Sequence, residues 1–467
     1  MELATLIDFG STFTKATVLS LTEREIVYTF RTPSTVQNDA SIGLRICLDA
    51  IEQHIGRKAL ASSQKLASSS AAGGLRMVVI GLTDSLSLTA GKNAAYGAGA
   101  KVIRTFSHRL TTSDIDEIYT LQPEIILLCG GYEGGNSSWV LENVRKLAQC
   151  AGLTCPIVYA GNSAVQKEVR FLFAQHQKAC VIADNIIPSI GQLNISSSVQ
   201  AVRDIFMNRI THMKGFDTVK TYVGPIVMPT PAAVLEGVKL LAQGTDKQPG
   251  WEQVLLVDMG GATTDIHSWA PVELLDGVHF IGSPEPQAKR TVEGDIGMRE
   301  SIASLVEVAD TDRLLQLTGQ DDAAIKTYVK ERLENHAFLA NTRKEQQFEQ
   351  AAAMEGVRVA ARRHAGRIYD GYFGNKQKVQ TGKNLCRIKA IVGTGGPIIG
   401  ALSPAAVLYE ACRHREETHI LLPMEAAYYL DTSYICYAAG LLAQMDREAA
   451  FAILSQSLQK LDVTRGE

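Results

Sequence analysis

A chain of 467 residues is too long for one simple hydrophobic core, so two or more domains are expected. Hydrophobic content of 46% and charged content of 20% are those of a soluble globular protein and set aside fibrous and disordered classes. A net charge of −3 leaves no basic footprint for nucleic acid, and no apolar run is long enough to span a bilayer.

The chain opens directly on an apolar strand, residues 3–8, without the basic flank and cleavage site of a signal peptide. Cysteines 47, 129, 150, 155, 180, 386, 412 and 436 are scattered and form no CxxC pair. Buried free thiols in a reducing cytoplasm follow, rather than a zinc or iron–sulfur site. Strands at 3–8, 15–21 and 25–30 read as a meander. Its first turn follows Asp8: Gly10 permits close backbone approach, Ser11, Thr12 and Thr14 carry hydroxyls, and Lys15 supplies a cation. Alone, this is either a phosphate loop or a Ser/Thr-rich hairpin turn. Residues 42–71 have helical spacing, and the small-residue stretch 68–74 marks a loop or boundary.

Between 75 and 185 the grammar changes. Strands at 75–82, 101–105, 124–129, 157–159 and 180–184 alternate with helices at 88–100, 112–121, 140–151 and 164–176. That alternation predicts a parallel, doubly wound insert, whose glycine turn at 130–136 is either a ligand loop or a plain connection. The order Asp84, Gly91, Lys92, Asn93 and then 98–102 resembles the start of a cobalamin-binding domain. Such domains carry a cobalt-ligating His two residues after the Asp, and here that position is Leu86, which ligates nothing.

Beyond the insert, 199–214 and 232–242 are helical, 224–231 is extended, and 244–251 is the best linker candidate. The second half begins with a buried strand ending in Asp258, followed by Gly260, Gly261, Thr263, Thr264 and Asp265. A carboxylate at a strand end, before a turn where glycines let backbone N–H groups curl around an anion, suits a hydrated divalent cation beside phosphate. Residues 298–371 are helical almost throughout. A strand at 387–392 leads into a third glycine turn, Gly393, Thr394, Gly395, Gly396 and Pro397, which has no charge and suits a flat, uncharged group such as adenosine. Helices at 398–402 and 405–413, a strand at 420–423 and helices at 433–445 and 449–461 close the chain.

Taken together, the three turns predict a nucleotide site in which Asp8 and Asp258 position Mg2+ and the first two turns grip phosphates. This set resembles the actin, Hsp70 and sugar-kinase ATPase superfamily, with 6–15 as phosphate-1, 255–265 as phosphate-2 and 391–397 as the adenosine motif. The resemblance implies an α/β, two-domain actin-like (ribonuclease H-like) fold with an inserted doubly wound subdomain. Domain I is expected over 1–74, 186–250 and 430–467, the insert over 75–185 and domain II over 251–429. The first connecting motif, Met228-Pro229-Thr230-Pro231, departs from chaperone-type members, which carry a water-positioning Glu where this chain has Met228. A thioether is no base, so fast hydrolysis is in doubt, no catalytic residue is assigned, and Asp184, Asp265, Glu293 and Asp295 are candidate substitutes.

Within the superfamily, 126–131 with 134–136, Asp184-Asn185, 290–295 and Arg362-Arg363-His364 look like the accessory protein of glutamate mutase, the MutL or GlmL family unrelated to mismatch repair. That likeness implies ATP or ADP with Mg2+ as cofactors. It also implies subunits of an adenosylcobalamin-dependent aminomutase as partners, from which the factor releases damaged cobalamin. Homo-oligomerisation stays open. Three other readings remain: a small-metabolite kinase, an activator ATPase of the acyl-CoA dehydratase type, and a nucleotide-binding scaffold without hydrolysis. The basic helix 358–367 is either a solvated face or a nucleotide contact.

Overall fold

The computed structural model describes residues 2–462 except 11–12, 37, 71–74, 211–213, 225, 284, 337 and 371–377. The chain divides into two compact units, Met1–Ala233 with Ile281–Pro286, and Val234–Phe280 with Gln287–Glu467.

In the first unit, Leu3–Phe9, Phe13–Ser20 and Glu25–Pro33 form an antiparallel meander. Gln64–Ser69 and Ile226–Pro229 extend the sheet in parallel on the far side of the first strand. Helix Ala40–Ile55, capped by the Asp39 carboxylate, buries Leu44, Cys47 and Ile51 in the core beneath it. Gln64–Ser69 falls inside a span whose spacing predicts helix. Its composition, one leucine among polar and small residues, conceals a strand that is wedged between two parallel neighbours.

The insert has its own sheet. Its strands, in spatial order, are Lys101–Phe106, Arg76–Ile80, Ile125–Gly130, Ile157–Gly161 and Cys180–Ile182, all parallel. The central three are apolar without alternation because helices cover both faces, as the doubly wound expectation requires. Segment Ile281–Pro286 also belongs to this unit. Ser283 donates its N–H to Ser85 O at 3.0 Å, and Glu285 accepts from the Asn93 amide at 3.0 Å.

The second unit repeats the first sheet's plan. Val254–Met259, Thr264–Trp269 and Ala288–Glu293 form an antiparallel meander. Ala390–Thr394 and Ala427–Leu430 add in parallel, and Gln459–Leu461 closes the edge antiparallel. Both sheets thus run third, second, first, fourth, fifth with the same strand polarity. That duplicated order is the actin-like, ribonuclease H-like fold expected. Helix Arg343–His364, with a Thr342/Glu345 capping box, buries Phe348, Val357 and Ala360 against the second sheet's core.

Three boundaries differ from the sequence expectation, the first being Ile281–Pro286, expected in domain II and found with the first unit. Residues 430–467 were expected in domain I, yet Gln459–Leu461 pairs with Ala427–Leu430 inside the second unit's sheet. Residues 244–251 form no linker. Gly244 bridges Pro249 in a closed turn, Thr245 N–H donates to Gln248 O at 2.8 Å, and the division falls earlier, within helix Thr230–Gln243. Proline and glycine there make a tight turn, which composition alone does not distinguish from a tether.

Candidate functional site

Asp8 lies near the end of the first strand, and the antiparallel return sets Lys15 directly opposite it. Ser68 flanks Asp8 on the parallel side, and Met228 flanks Ser68. One row across the sheet therefore reads Lys15, Asp8, Ser68, Met228. The turn between Asp8 and Lys15 closes where Gly10 N–H donates to Phe13 O at 3.0 Å. A Cβ at Gly10 would lie 2.6 Å from that oxygen, so the turn admits only glycine. Ser11 and Thr12 lie outside the described residues.

Asp8 is buried, and its Oδ1 accepts from Ser68 Oγ at 3.2 Å and from Thr230 Oγ1. Oδ2 lies towards the turn, 3.7 Å from where a Gly10 Cβ would stand. Burial pushes the Asp8 carboxyl above the usual carboxylate range, while Lys15 and the two hydroxyls pull it back. A carboxylate so held, with one oxygen towards a glycine turn, is a hard donor of the kind Mg2+ takes through water. Among the described residues no group of three or more His, Cys, Asp and Glu is placed to hold a metal ion.

The second unit matches this arrangement position for position. Gly260 N–H donates to Thr263 O at 2.8 Å, and the return strand sets Asp265 opposite Asp258. Thr394 stands beside Asp258 as Ser68 stands beside Asp8. One position inverts its charge: Lys15 in the first row corresponds to Asp265 in the second. Asp265 Oδ1 accepts from Arg290 Nη2 at 3.0 Å, with side chains 16% and 5% exposed. The carbonyls of Gly260 and Gly261 accept from Met298 and Arg299 N–H groups at 3.1 and 2.8 Å, which fixes the turn from below.

Two expected contacts turn away from the rows. Thr14 pairs with Phe9 and Thr264 with Met259, one residue out of step with the Asp pairs, so both side chains lie on the opposite face. Thr14 is fully buried under helix Ala40–Ile55, its Oγ1 without a hydrogen-bond partner, and Thr264 Oγ1 donates to Ile296 O at 2.9 Å. Gly260, Gly261 and Thr263 remain at the partly exposed turn.

In the third turn, Gly393 and Thr394 end the strand Ala390–Thr394, Gly395 adopts φ +92°, and Gly396 and Pro397 start the short helix Gly396–Ile399. Behind it Asp431 is buried, accepting from the N–H groups of Ile435 at 2.8 Å and Cys436 at 3.0 Å. It thereby anchors helix Ile435–Leu442. Asp431 and Ser68 are not singled out by the sequence, and Thr230 and Arg290 appear there only as members of their motifs, without these contacts. An Asp shortly before a small-residue helix is a readable cap signal, whereas Ser68 has none.

Of the four carboxylates considered for orienting water, Asp265 is paired with Arg290, and Glu293 and Asp295 share the Arg363 guanidinium at 2.8 and 2.7 Å. Burial raises the Glu293 carboxyl, and the Arg363 hydrogen bonds lower that of Asp295. Asp184 is exposed on the insert. Met228, 6% exposed beside Ser68, offers no proton acceptor. The basic helix also contacts protein: Arg358 pairs with Glu355 and Arg362 with Glu417.

Behind the second row, His267 and His364 are buried, and burial drives both well below the ordinary 6.5. His364 contacts the hydroxyls of Ser268 at 2.8 Å and Thr291 at 2.9 Å. Their depressed values leave both neutral in the fold while the unfolded chain takes up protons below about pH 6.5. Stability is therefore expected to fall as pH drops from 6.5, by up to ~1.4 kcal/mol per pH unit for each histidine. Urea midpoints at pH 7 and 5.5 measure this, and His267→Phe is expected to halve the slope. An unchanged slope would show that His267 titrates alike in both states.

A model of the family described as "MutL protein" matches residues 4–458. The chain is 37% identical to "Protein MutL" of Clostridium tetanomorphum over 463 residues, 99% of this chain and 100% of the relative. Among solved structures, a nucleotide-free acetone carboxylase aligns over 95% of this chain and 70% of its own, with 11% identity and a TM-score of 0.41. Xylulose kinase from Bifidobacterium adolescentis aligns over 100% and 97%, with 12% identity and a TM-score of 0.32. Both scores are low, and the fold assignment rests on strand order and polarity.

Proposed function

The chain belongs to the MutL protein family, and from that premise and its two matched Asp–Gly turns we propose an ATP-dependent accessory factor for an adenosylcobalamin-dependent aminomutase of the glutamate or ornithine mutase type. In this role it binds a mutase carrying damaged cobalamin and couples its release to nucleotide exchange or hydrolysis. The observation that carries the nucleotide part is the repeated row, Lys15–Asp8–Ser68 and Asp265–Asp258–Thr394. Asp8 and Asp258 position Mg2+, which when bound neutralises phosphate charge. Lys15 and the backbone around Gly10, with Gly260, Gly261 and Thr263, take phosphate, and the Gly393–Pro397 turn takes the nucleoside. Thr14 and Thr264 serve the core instead. No helix among the described residues is long and apolar enough to cross a membrane, and all eight cysteines are free, as suits action in a reducing cytoplasm.

Met228 in the Asp8 row favours holding ATP over cleaving it. Phosphate release by the protein alone is expected to be slow and to rise when a mutase is added. Co-purification with an adenosylcobalamin-dependent mutase, with ATP, with ADP and without nucleotide, tests the assignment. Capture that depends on the nucleotide is expected. Absence of capture in every state, or equal capture in all of them, would reject it.

A further inference from the structure

The insert carries a cavity of about 360 Å³ that the nucleotide assignment does not use. It is lined by Leu82, Leu86, Tyr132, Asn136, Trp139 and Ile187, together with small residues of the same two loops. Its place follows from the topology. Arg76–Ile80 lies between Lys101–Phe106 and Ile125–Gly130, so the chain departs in opposite directions after the first and third strands of this sheet. In open parallel sheets a crevice forms at the carboxyl ends of such strands, and ligands bind there. The cavity sits between the loops that follow those two strands, residues 82–87 and 130–136.

The loops are built rather than slack. Ser87 Oγ accepts from Leu82 N–H at 2.7 Å and Thr83 N–H at 3.0 Å, and Leu88 N–H reaches back to Thr83 O at 3.0 Å in a π-helical turn, Asp84–Leu88. Such turns concentrate at functional sites. Gly130, at φ +130°, keeps the second loop close: a Cβ there would lie 2.7 Å from Leu82 Cγ. On the rim, Trp139 is 41% exposed with the Arg109 guanidinium 4.9 Å from its ring centre.

The chemistry of the lining selects the ligand. None of the described lining residues is acidic or basic, and the rim Arg109 is already paired with Glu142 at 3.4 Å, so a charged ligand would be desolvated without a counter-ion of its own. Leucine, isoleucine and two aromatic rings favour a flat apolar body. The Asn136 carbonyl oxygen is occupied by Ser138 N–H at 2.8 Å and Ser138 Oγ at 2.7 Å, which leaves its amide nitrogen, like the Tyr132 hydroxyl, available as a donor. We propose that this cavity is a second binding site, which takes an uncharged planar heteroaromatic group with acceptor atoms at its edge.

The chain has three tryptophans, Trp139, Trp251 and Trp269. Labelling with 5-fluorotryptophan gives three fluorine resonances, and Trp139→Phe assigns the relevant one. Titration of the full-length protein with quinoxaline, with saturating ATP present throughout, is expected to shift the Trp139 resonance alone and to saturate. Leu86→Phe, which fills the cavity from a surface loop, is expected to weaken the response at least tenfold. Quinoxaline-2-carboxylate is expected to leave the resonance still. A Trp139 signal unmoved by quinoxaline, or moved equally in Leu86→Phe, would overturn the site, and an equal response to the carboxylate would overturn its selectivity.

Discussion

Asp8→Asn is expected to weaken Mg–nucleotide binding on the order of 10- to 100-fold while making the nucleotide-free protein more stable. The two effects have one source. Burial raises the Asp8 carboxyl, so the folded state holds its proton more firmly than the unfolded state. The stability this lends is complete below the ordinary value of 3.8 and is lost as pH rises through the folded-state value. At pH 7 the wild-type protein therefore carries a buried charge that asparagine does not. The amide oxygen still accepts from Ser68 and Thr230, so the strand's surroundings survive. Thermal unfolding without nucleotide at pH 7 should show a higher midpoint for the variant, the gain vanishing near pH 4. Calorimetric titration with MgATP reads the other half. Wild-type affinity in the variant would remove Asp8 from the metal site, and a lower midpoint would mean that hydrogen bonds to the carboxylate outweigh its desolvation.

Gly395→Ala is expected to destabilise the second unit by about 3 kcal/mol or more and to abolish nucleotide binding with it. Its φ of +92° is costly for any residue with a side chain, and the added Cβ would stand 2.1 Å from Met259 O and 2.9 Å from Met259 C. Those are main-chain atoms of the central strand, one residue from Asp258 and one from Gly260, and they cannot step aside without moving both. The next residue supplies the control. A Cβ at Gly396 meets nothing within 4 Å, so Gly396→Ala is expected to change stability by no more than about 0.5 kcal/mol. Denaturant midpoints for the pair separate backbone exclusion from a general aversion to alanine in this turn. Equal midpoints would refute the steric argument.

The three glycine turns were legible because their residue types are rare in combination and each follows an apolar strand. The second-half row, Asp265–Asp258–Thr394, was present in the sequence as two motifs but not as neighbours, because register is set by pairing across the sheet. The first row was harder. Ser68 lies in a strand whose composition resembles a loop, and only its two parallel neighbours make it a strand. Thr14 and Thr264 were misjudged for a related reason. A run of hydroxyls looks like one surface, yet alternation in a strand sends every second side chain to the other face. Met228 was read only as the residue at the position of the chaperone-type Glu; its place in the row of Asp8 comes from the pairing, since the first connecting motif enters the sheet beside Ser68.

Segment Ile281–Pro286 has a consequence for biosynthesis. Asn93 finds the Glu285 carboxylate across 192 residues of chain. At translation rates of 5–20 residues per second, the turn at 84–88 and the helix after it wait roughly 10–40 s on the ribosome for that strap to emerge. The N-terminal unit is thus not finished when its own sequence has been synthesised. Its last piece arrives from inside the second half.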